Sequence, residues 1–198
     1  KIIKPHEDNK TIFKKIEHAE KCGCLAVGMD IDHQFGGKNQ WYTAGGVPVR
    51  PKSIDQIQEF VKAAALPFII KGVLSEIDAR KCLDAGAGGI VVSHHHGMVD
   101  YSLPPLMILP KIAKVINRRI PVFVDCGIMR GMDVFKALAL GASAVCLGRV
   151  ILNPLQEGGA AAVQKTVEAM THELKWAMAV TNSPDIQHID PAVIWERK

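Results

Sequence analysis

The chain alternates short apolar runs, each ending in a polar or charged residue, with longer segments of helical period. Continuous apolar runs of this length predict parallel strands that are buried on both faces. We predict strands over residues 25–30, 68–71, 89–94, 122–125 and 144–149, and the tail of another over residues 2–4. We predict helices over residues 11–22, 53–64, 75–85, 106–117, 131–140 and 160–179. The sequence therefore predicts a repeated βα pattern.

Residues that start and stop helices agree with these boundaries. Ser53 and Ser75 stand where the second and third helices should begin, and serine is a preferred N-cap. Gly23, Gly86 and Gly141 stand where helices should end, in the position that favours a left-handed backbone. The local signals support the same division into helices and strands.

Charged or polar side chains follow nearly every predicted strand. The five are Asp30, Lys71, His94, Asp125 and Arg149. In a parallel barrel the carboxyl ends of all strands meet at one rim, so these groups should converge there. This favours a (β/α)8 TIM barrel over a doubly wound sheet. A complete barrel takes about 250 residues and eight strands, so we expect residues 1–198 to form one domain, an incomplete barrel lacking its first strands.

Composition restricts the class of protein. The apolar runs are far shorter than the roughly 20 residues of a membrane helix, and a net charge of +4 from dispersed residues does not indicate a nucleic-acid or membrane partner. Five scattered cysteines predict reduced thiols, with Cys82, Cys126 and Cys146 in the core. We expect a cytoplasmic protein.

Residues 35–51 are rich in glycine and have no helical period. The segment follows the strand predicted over residues 25–30, so we predict a loop at the barrel rim that covers the substrate. A disordered connector is the alternative.

Two successive strand-to-turn junctions near the end of the chain combine glycine with arginine. The first reads Val-Phe-Val-Asp-Cys-Gly-Ile-Met-Arg-Gly over residues 122–131, and the second places Gly148 before Arg149. Backbone N–H groups and guanidinium groups at the last strands of a barrel are typical of phosphate binding. The alternative is that the glycines make only tight turns and Arg149 is a surface charge.

Four motifs in order carry a resemblance to a known family. They are Leu-Pro-Phe-Ile-Ile-Lys-Gly at 66–72, Ser-His-His-His-Gly-Met at 93–98, Asp-Cys-Gly-Ile-Met-Arg-Gly at 125–131 and Gly-Arg at 148–149. In order and spacing, residues 66–180 resemble the FMN-dependent α-hydroxy-acid dehydrogenase and oxidase family, which includes glycolate and lactate oxidases. The resemblance implies a flavin cofactor, FMN, and oxidation of a small hydroxy-bearing substrate by hydride transfer.

The resemblance also implies roles for individual residues. Lys71 would stabilise the negative charge of reduced flavin. His95 would be the base that removes the hydroxyl proton, and Asp32 the carboxylate that orients it. The residues implied to hold the cofactor are Lys71, Ser93, Asp125, Gly127, Arg130, Gly148 and Arg149. The resemblance also implies a homo-oligomer, but it does not identify the electron acceptor.

The chain also departs from the family pattern. Met98 stands where the family has the arginine that clamps the substrate carboxylate, and a thioether cannot bind a carboxylate bidentately. His94, His96 and Met129 replace an asparagine, a glycine and an arginine, while Asp30 stands where a threonine is usual. The resemblance therefore supports flavin binding more strongly than it supports the substrate chemistry of the family.

These departures leave two further hypotheses open. One is a flavin barrel resembling type 2 isopentenyl-diphosphate isomerase, in which reduced FMN assists an isomerisation. The other is a non-catalytic barrel that binds a phosphate-bearing ligand. The three adjacent histidines invite a metal site, but no third ligand is evident near them in the sequence, so we expect none. The alternative is that Asp30 or Asp32 completes such a ligand set in space.

Overall fold

The computed structural model describes residues 1–32, 43–95, 97 and 101–195, and its main feature is a parallel sheet. Eight strands are numbered in chain order: β1 Ile2–Ile3, β2 Val27–Asp30, β3 Thr43–Ala44, β4 Val47–Pro48, β5 Phe68–Val73, β6 Gly89–Val92, β7 Val122–Val124 and β8 Ala144–Val145. Within these described residues, the sheet has six strands in the order β1-β2-β5-β6-β7-β8, and β3 and β4 form a separate hairpin. All pairings in the larger sheet are parallel.

Each strand of this sheet pairs with the strand that follows it through one connection, so the strand order never reverses. A doubly wound sheet reverses its order at a switch point, whereas a barrel wall does not. The predicted incomplete barrel is therefore confirmed as the fold of the described residues. Register places the ends of neighbouring strands side by side, with Asp30 of β2 beside Lys71 of β5.

The helices alternate with the strands and lie close to their predicted positions. They are α1 Asn9–Lys21, α2 Ile54–Ala63, α3 Glu76–Asp84, α4 Pro105–Ile116, α5 Gly131–Ala139 and α6 Leu152–Val180. Short 3-10 turns cover Arg149–Ile151 and Pro191–Val193. None of the helices in the described ranges is both long and apolar enough to cross a membrane.

The predicted caps are present. The Ser53 hydroxyl accepts from the Gln56 N–H while the Gln56 side chain accepts from the Ser53 N–H, which is a complete capping box. The Ser75 hydroxyl accepts from the Asp78 N–H at 3.0 Å. Gly23, Gly86 and Gly141, with φ of 70°, 81° and 103°, adopt the left-handed conformation after their helices.

The last predicted strand, over residues 144–149, is too long. Only Ala144 and Val145 pair with β7, and Arg149 begins a 3-10 turn. The backbone of Gly148, with φ −112° and ψ −105°, turns the chain out of the strand direction. The strand predicted over residues 89–94 likewise ends at Val92.

The larger of two apolar clusters among the described residues joins the sheet to the helices. Ile3, Met29, Ile70 and Ile90 from four strands are each at most 1% exposed, and Phe60 of α2 is fully buried. Burial of this kind stabilises by about 25 cal/mol for each Å² of apolar surface removed from water.

The predicted burial of three cysteines is only partly confirmed. Cys82 is buried, and burial raises the pKa of its thiol to about 12. Cys126 is half-buried and Cys146 is exposed, so their assignment to the core was wrong. Both follow the last residues of β7 and β8 and therefore lie beyond the packed interior.

Helix α6 begins earlier than predicted and contains a break. Gly158 and Gly159 have non-helical backbone angles, and a regular helix continues from Ala160, the predicted start. Met170 and Ala177 of α6 are buried, with α6 packed against α5.

Gly131 allows α5 and α6 to approach closely. A Cβ at this position would overlap the backbone carbonyl of Met170 and lie 2.7 Å from the Leu174 nitrogen. We expect Gly131→Ala to lower the free energy of unfolding by about 1–3 kcal/mol, the usual cost of overpacking, as measured by urea denaturation. Lys175→Ala, an exposed change on α6, is the control, and equal stability of the two variants would contradict this account.

The predicted rim loop over residues 35–51 lies partly outside the described residues. Its described part is not irregular, because β3 and β4 form a hairpin that turns at Gly45 and Gly46. The hairpin is attached to the segment after β1. Glu7 N–H donates to the Pro48 carbonyl at 2.7 Å, and Arg50 N–H to the Pro5 carbonyl at 2.8 Å.

His6 lies at this attachment and should make stability depend on pH. The residue is 3% exposed, and its Nδ1 has no hydrogen-bond partner among the described residues. Burial, together with the charges of Lys15 and Lys52, lowers the pKa of His6 below 6.5. Below pH 6.5 the unfolded chain therefore takes up a proton that the folded chain does not, and stability present above that pH is lost.

We expect the His6→Gln variant to lose less unfolding free energy than the parent between pH 7.5 and pH 5.5 (~2 pH units spanning the ordinary histidine range). Urea denaturation at the two pH values measures the difference. His172→Gln, an exposed histidine of α6, is the control. A pH dependence unchanged by His6→Gln would show that His6 does not carry it.

Candidate active site

Lys71 lies at the centre of a cluster of polar groups at the carboxyl end of the sheet. Its Nζ is 3.2 Å from Asp30 Oδ1, 3.5 Å from Asp125 Oδ2 and 3.4 Å from His95 Nδ1. The same ammonium donates to the Ser93 hydroxyl at 3.3 Å. These partners come from β2 and from the residues that follow β6 and β7, so the parallel strands bring them together.

Lys71 is a cation in this environment. Burial disfavours its charge, but the nearby carboxylates, Asp30 first and then Asp125 and Asp32, outweigh burial and raise its pKa above the ordinary value. A side chain only 17% exposed keeps its charge because three carboxylates surround it.

His95 is held by its backbone and by two carboxylates. Its φ of 47° is left-handed, and its N–H donates to the buried Ser93 hydroxyl at 3.2 Å. Ring atom Nδ1 lies 3.0 Å from Asp32 Oδ1 and 3.6 Å from Asp30 Oδ1. The imidazole is therefore fixed through one nitrogen.

A glycine makes the position of Asp32 possible. Gly72 has a φ of 104°, and a Cβ there would lie 2.5 Å from Asp32 Cγ. Any side chain at residue 72 would displace Asp32. The glycine that follows Lys71 therefore allows this carboxylate to lie beside the lysine.

Asp30 is the most buried charge of the cluster, at 4% exposure. Lys4, which follows β1, donates to Asp30 Oδ2 at 2.5 Å. Burial alone would raise the pKa of Asp30, but Lys4, Lys71 and His95 together hold it below its usual value. Asp30 is thus an anion between two lysines.

Comparison with known proteins decides the family. A model of the FMN-dependent dehydrogenase family matches residues 48–196. The chain belongs to this family.

Individual members of the family agree with this assignment. The chain is 43% identical over 133 residues to a 2-hydroxyacid oxidase of Dictyostelium discoideum, covering 67% of this chain and 34% of that protein. It is 43% identical over 206 residues to the peroxisomal (S)-2-hydroxyacid oxidase GLO3 of Arabidopsis thaliana, covering 88% of this chain and 57% of that protein.

A solved structure of mandelate oxidase with benzoyl-formic acid has a TM-score of 0.85 and 30% identity, covering 96% of this chain and 61% of that one. A mandelate oxidase mutant with the monooxide FMN adduct has a TM-score of 0.81 and 33% identity, covering 90% of this chain and 57% of that one. The chain therefore spans about a third to three fifths of the lengths of the proteins compared.

The structure gathers some of the family residues predicted from the sequence and separates others. Lys71, Ser93, His95, Asp32 and Asp125 form one cluster, as their predicted roles require. By contrast, Arg130 extends to α6, where its Nη2 lies 2.5 Å from Glu173 Oε1. Its predicted part in holding the cofactor stays a prediction.

The ends of β7 and β8 fit a bound FMN. A Cβ at Gly127 or Gly148 would meet no atom within 4 Å, so the backbone is open to a ligand at both turns. Arg149 is exposed at the second of these turns and can face a phosphate group. An open backbone beside a guanidinium suits a phosphate, and Lys71 suits the anionic end of reduced flavin.

Asp30, Asp32 and His95 place ligand atoms within 4.8 Å of one another, which is close enough to hold a metal ion. The ammonium of Lys71, however, lies 3.2 Å from Asp30 Oδ1 and 3.4 Å from His95 Nδ1. A metal ion bound at the same atoms would be repelled by this ammonium.

Sequence reasoning missed two neighbours of the site. Lys4 was not named, although a charged residue after an apolar pair repeats the pattern of the other strand ends. Cys126 lies at the site edge, where its Sγ donates to Asp125 Oδ1 at 2.9 Å. His94, predicted to converge with the other strand ends, instead accepts from the Gly97 N–H at 3.0 Å. Met98 lies outside the described residues.

Proposed function

We propose that the protein containing this chain is an FMN-dependent oxidoreductase that oxidises a small 2-hydroxy acid or related alcohol by hydride transfer. One observation carries the proposal. In a chain of the FMN-dependent dehydrogenase family, a histidine–carboxylate pair and a half-buried lysine meet at the rim of the barrel. Barrel enzymes assemble their active sites at this rim.

His95 is the general base of the proposed reaction. In the neutral imidazole, Nδ1–H donates to Asp32 Oδ1 at 3.0 Å, which leaves Nε2 as the proton acceptor. Removal of the substrate hydroxyl proton gives an imidazolium, and the Asp32 carboxylate stabilises that charge. The histidine thereby raises the tendency of the substrate carbon to lose a hydride.

The remaining residues would hold the cofactor. Bound FMN supplies the hydride acceptor. Lys71 would face the part of the flavin that becomes negative on reduction, and Ser93 and Asp125 fix the lysine from either side. Gly127, Gly148 and Arg149 would bind the phosphate, with Arg130 nearby at the start of α5.

The substrate class follows from the names of the relatives. They are called 2-hydroxyacid oxidases and mandelate oxidase, and these names describe small hydroxy acids. Met98 in place of the family arginine predicts weaker binding of the substrate carboxylate. The homo-oligomer and the cytoplasmic location stay predictions.

Absorption spectroscopy tests the proposal in two steps. The purified full-length protein should show a flavin spectrum or acquire one when FMN is added, and a colourless protein that binds no FMN would contradict the proposal. Anaerobic addition of 2-hydroxy acids and related alcohols should then bleach the flavin. Bleaching by dithionite but by none of the substrates would favour the isomerase hypothesis, and flavin held tightly without any reduction would favour the non-catalytic one.

A further inference from the structure

Asp30 has no part in the reaction outlined above, although it is the most buried charge of the cluster. Burial of a carboxylate is costly unless cations and hydrogen bonds compensate for the lost water. Here each oxygen faces a different lysine: Lys4 Nζ lies 2.5 Å from Oδ2, and Lys71 Nζ lies 3.2 Å from Oδ1.

The sheet register produces this arrangement. Ile3 of β1 pairs with Met29 of β2, and the next residue in each of these two segments is Lys4 and Asp30, respectively. Asp30 in turn pairs with Lys71 of β5. Three neighbouring parallel strands therefore place a cation, an anion and a cation in a row along the rim.

The neighbouring carboxylate changes the electrostatic field that the Lys71 ammonium exerts on its surroundings. An isolated ammonium in a partly buried site acts at a distance as a full positive charge. An ammonium paired with a buried carboxylate acts largely as a dipole, whose field falls more steeply with distance. Lys4 pairs with the other oxygen of the same carboxylate and so weakens the attraction between Asp30 and Lys71.

We propose that Asp30 is a positioning residue that fixes the Lys71 ammonium and offsets part of its charge toward reduced flavin, with Lys4 limiting the offset. This inference rests on the proposed FMN function. The reduced flavin is then stabilised less than Lys71 alone would stabilise it. This favours transfer of its electrons to an acceptor. The Lys4–Asp30 pair thereby sets the midpoint potential of the flavin.

The test is a reductive titration of the FMN-loaded full-length protein against a reference dye. Asp30→Asn removes the offsetting charge, so its midpoint potential should be more positive than that of the parent. Lys4→Met removes the cation that limits Asp30, so its potential should be more negative. The double variant loses one charge of each sign, and its potential should lie between those of the two single variants.

Glu17→Gln is the matched control, because Glu17 also pairs with a lysine, Lys21, at 2.6 Å, but on the exposed face of α1. Its potential should equal that of the parent. A shift of the same sign in Asp30→Asn and Lys4→Met, or no shift in either, would overturn the inference while leaving FMN binding in place.

A parent protein that binds no FMN would overturn the inference together with the proposed function. If Asp30→Asn fails to fold, Lys4→Met decides the matter alone. A more negative potential in that variant supports the inference, and an unchanged or more positive one overturns it.

Discussion

A His95→Gln variant of the full-length protein should bind FMN and reduce it about 10²–10⁴-fold more slowly with substrate, the usual contribution of a general base. Glutamine retains a polar side chain of similar length but cannot accept the hydroxyl proton at neutral pH. The imidazole that it replaces is 3.0 Å from Asp32 and is fixed by a left-handed backbone and the Ser93 hydroxyl. Anaerobic stopped-flow absorbance gives the rate constant of flavin reduction directly.

The adjacent histidine provides the control for this measurement. His94→Asn retains an acceptor for the Gly97 N–H, and His94 does not form part of the carboxylate cluster. Its rate constant should fall far less than that of His95→Gln. Equal losses in both variants would show that the segment, and not the His95 base, limits the reaction.

The Lys71→Met variant should fold, lower the midpoint potential of the flavin and slow its reduction more than it weakens FMN binding. An ammonium beside reduced flavin stabilises the added negative charge by about 1–3 kcal/mol. For a two-electron couple, about 1.4 kcal/mol corresponds to roughly 30 mV. Methionine preserves much of the length of lysine and removes only the charge. A dye-coupled reductive titration of parent and variant measures the shift.

Lys111→Met, an exposed lysine of α4, controls for the loss of a positive charge elsewhere. The potential of this variant should match that of the parent. If Lys71→Met has an unchanged potential and normal reduction kinetics, Lys71 is a structural cation of the carboxylate cluster and contributes nothing to flavin chemistry.

The fold was predictable because its signals are local. Apolar runs over residues 68–71 and 122–125 define strands by their own composition, and serine caps and glycine stops define the helices between them. The strand ends predicted which charges would meet, and Asp30, Lys71 and Asp125 do meet.

The features of the fold and site that local sequence patterns did not predict depend on contacts between distant segments. Apart from the family resemblance, nothing local distinguishes His95 from His94, because the choice follows from a left-handed backbone and from Asp32, which is 63 residues away in the chain. The hairpin of β3 and β4 depends on backbone hydrogen bonds to residues after β1. The ion pair between Arg130 and Glu173 of α6 likewise joins residues 43 positions apart.

The order in which strands pair has a consequence for how the chain folds. Every strand of the main sheet pairs with the next strand of that sheet along the chain, so each of these strand pairings closes a loop of one connecting segment. Closing short loops costs less entropy than joining remote segments, and proteins with local contacts fold faster. Assembly can therefore advance from one βα unit to the next, much as it does in repeat proteins, and the charged cluster around Lys71 is completed only when the β7 unit docks.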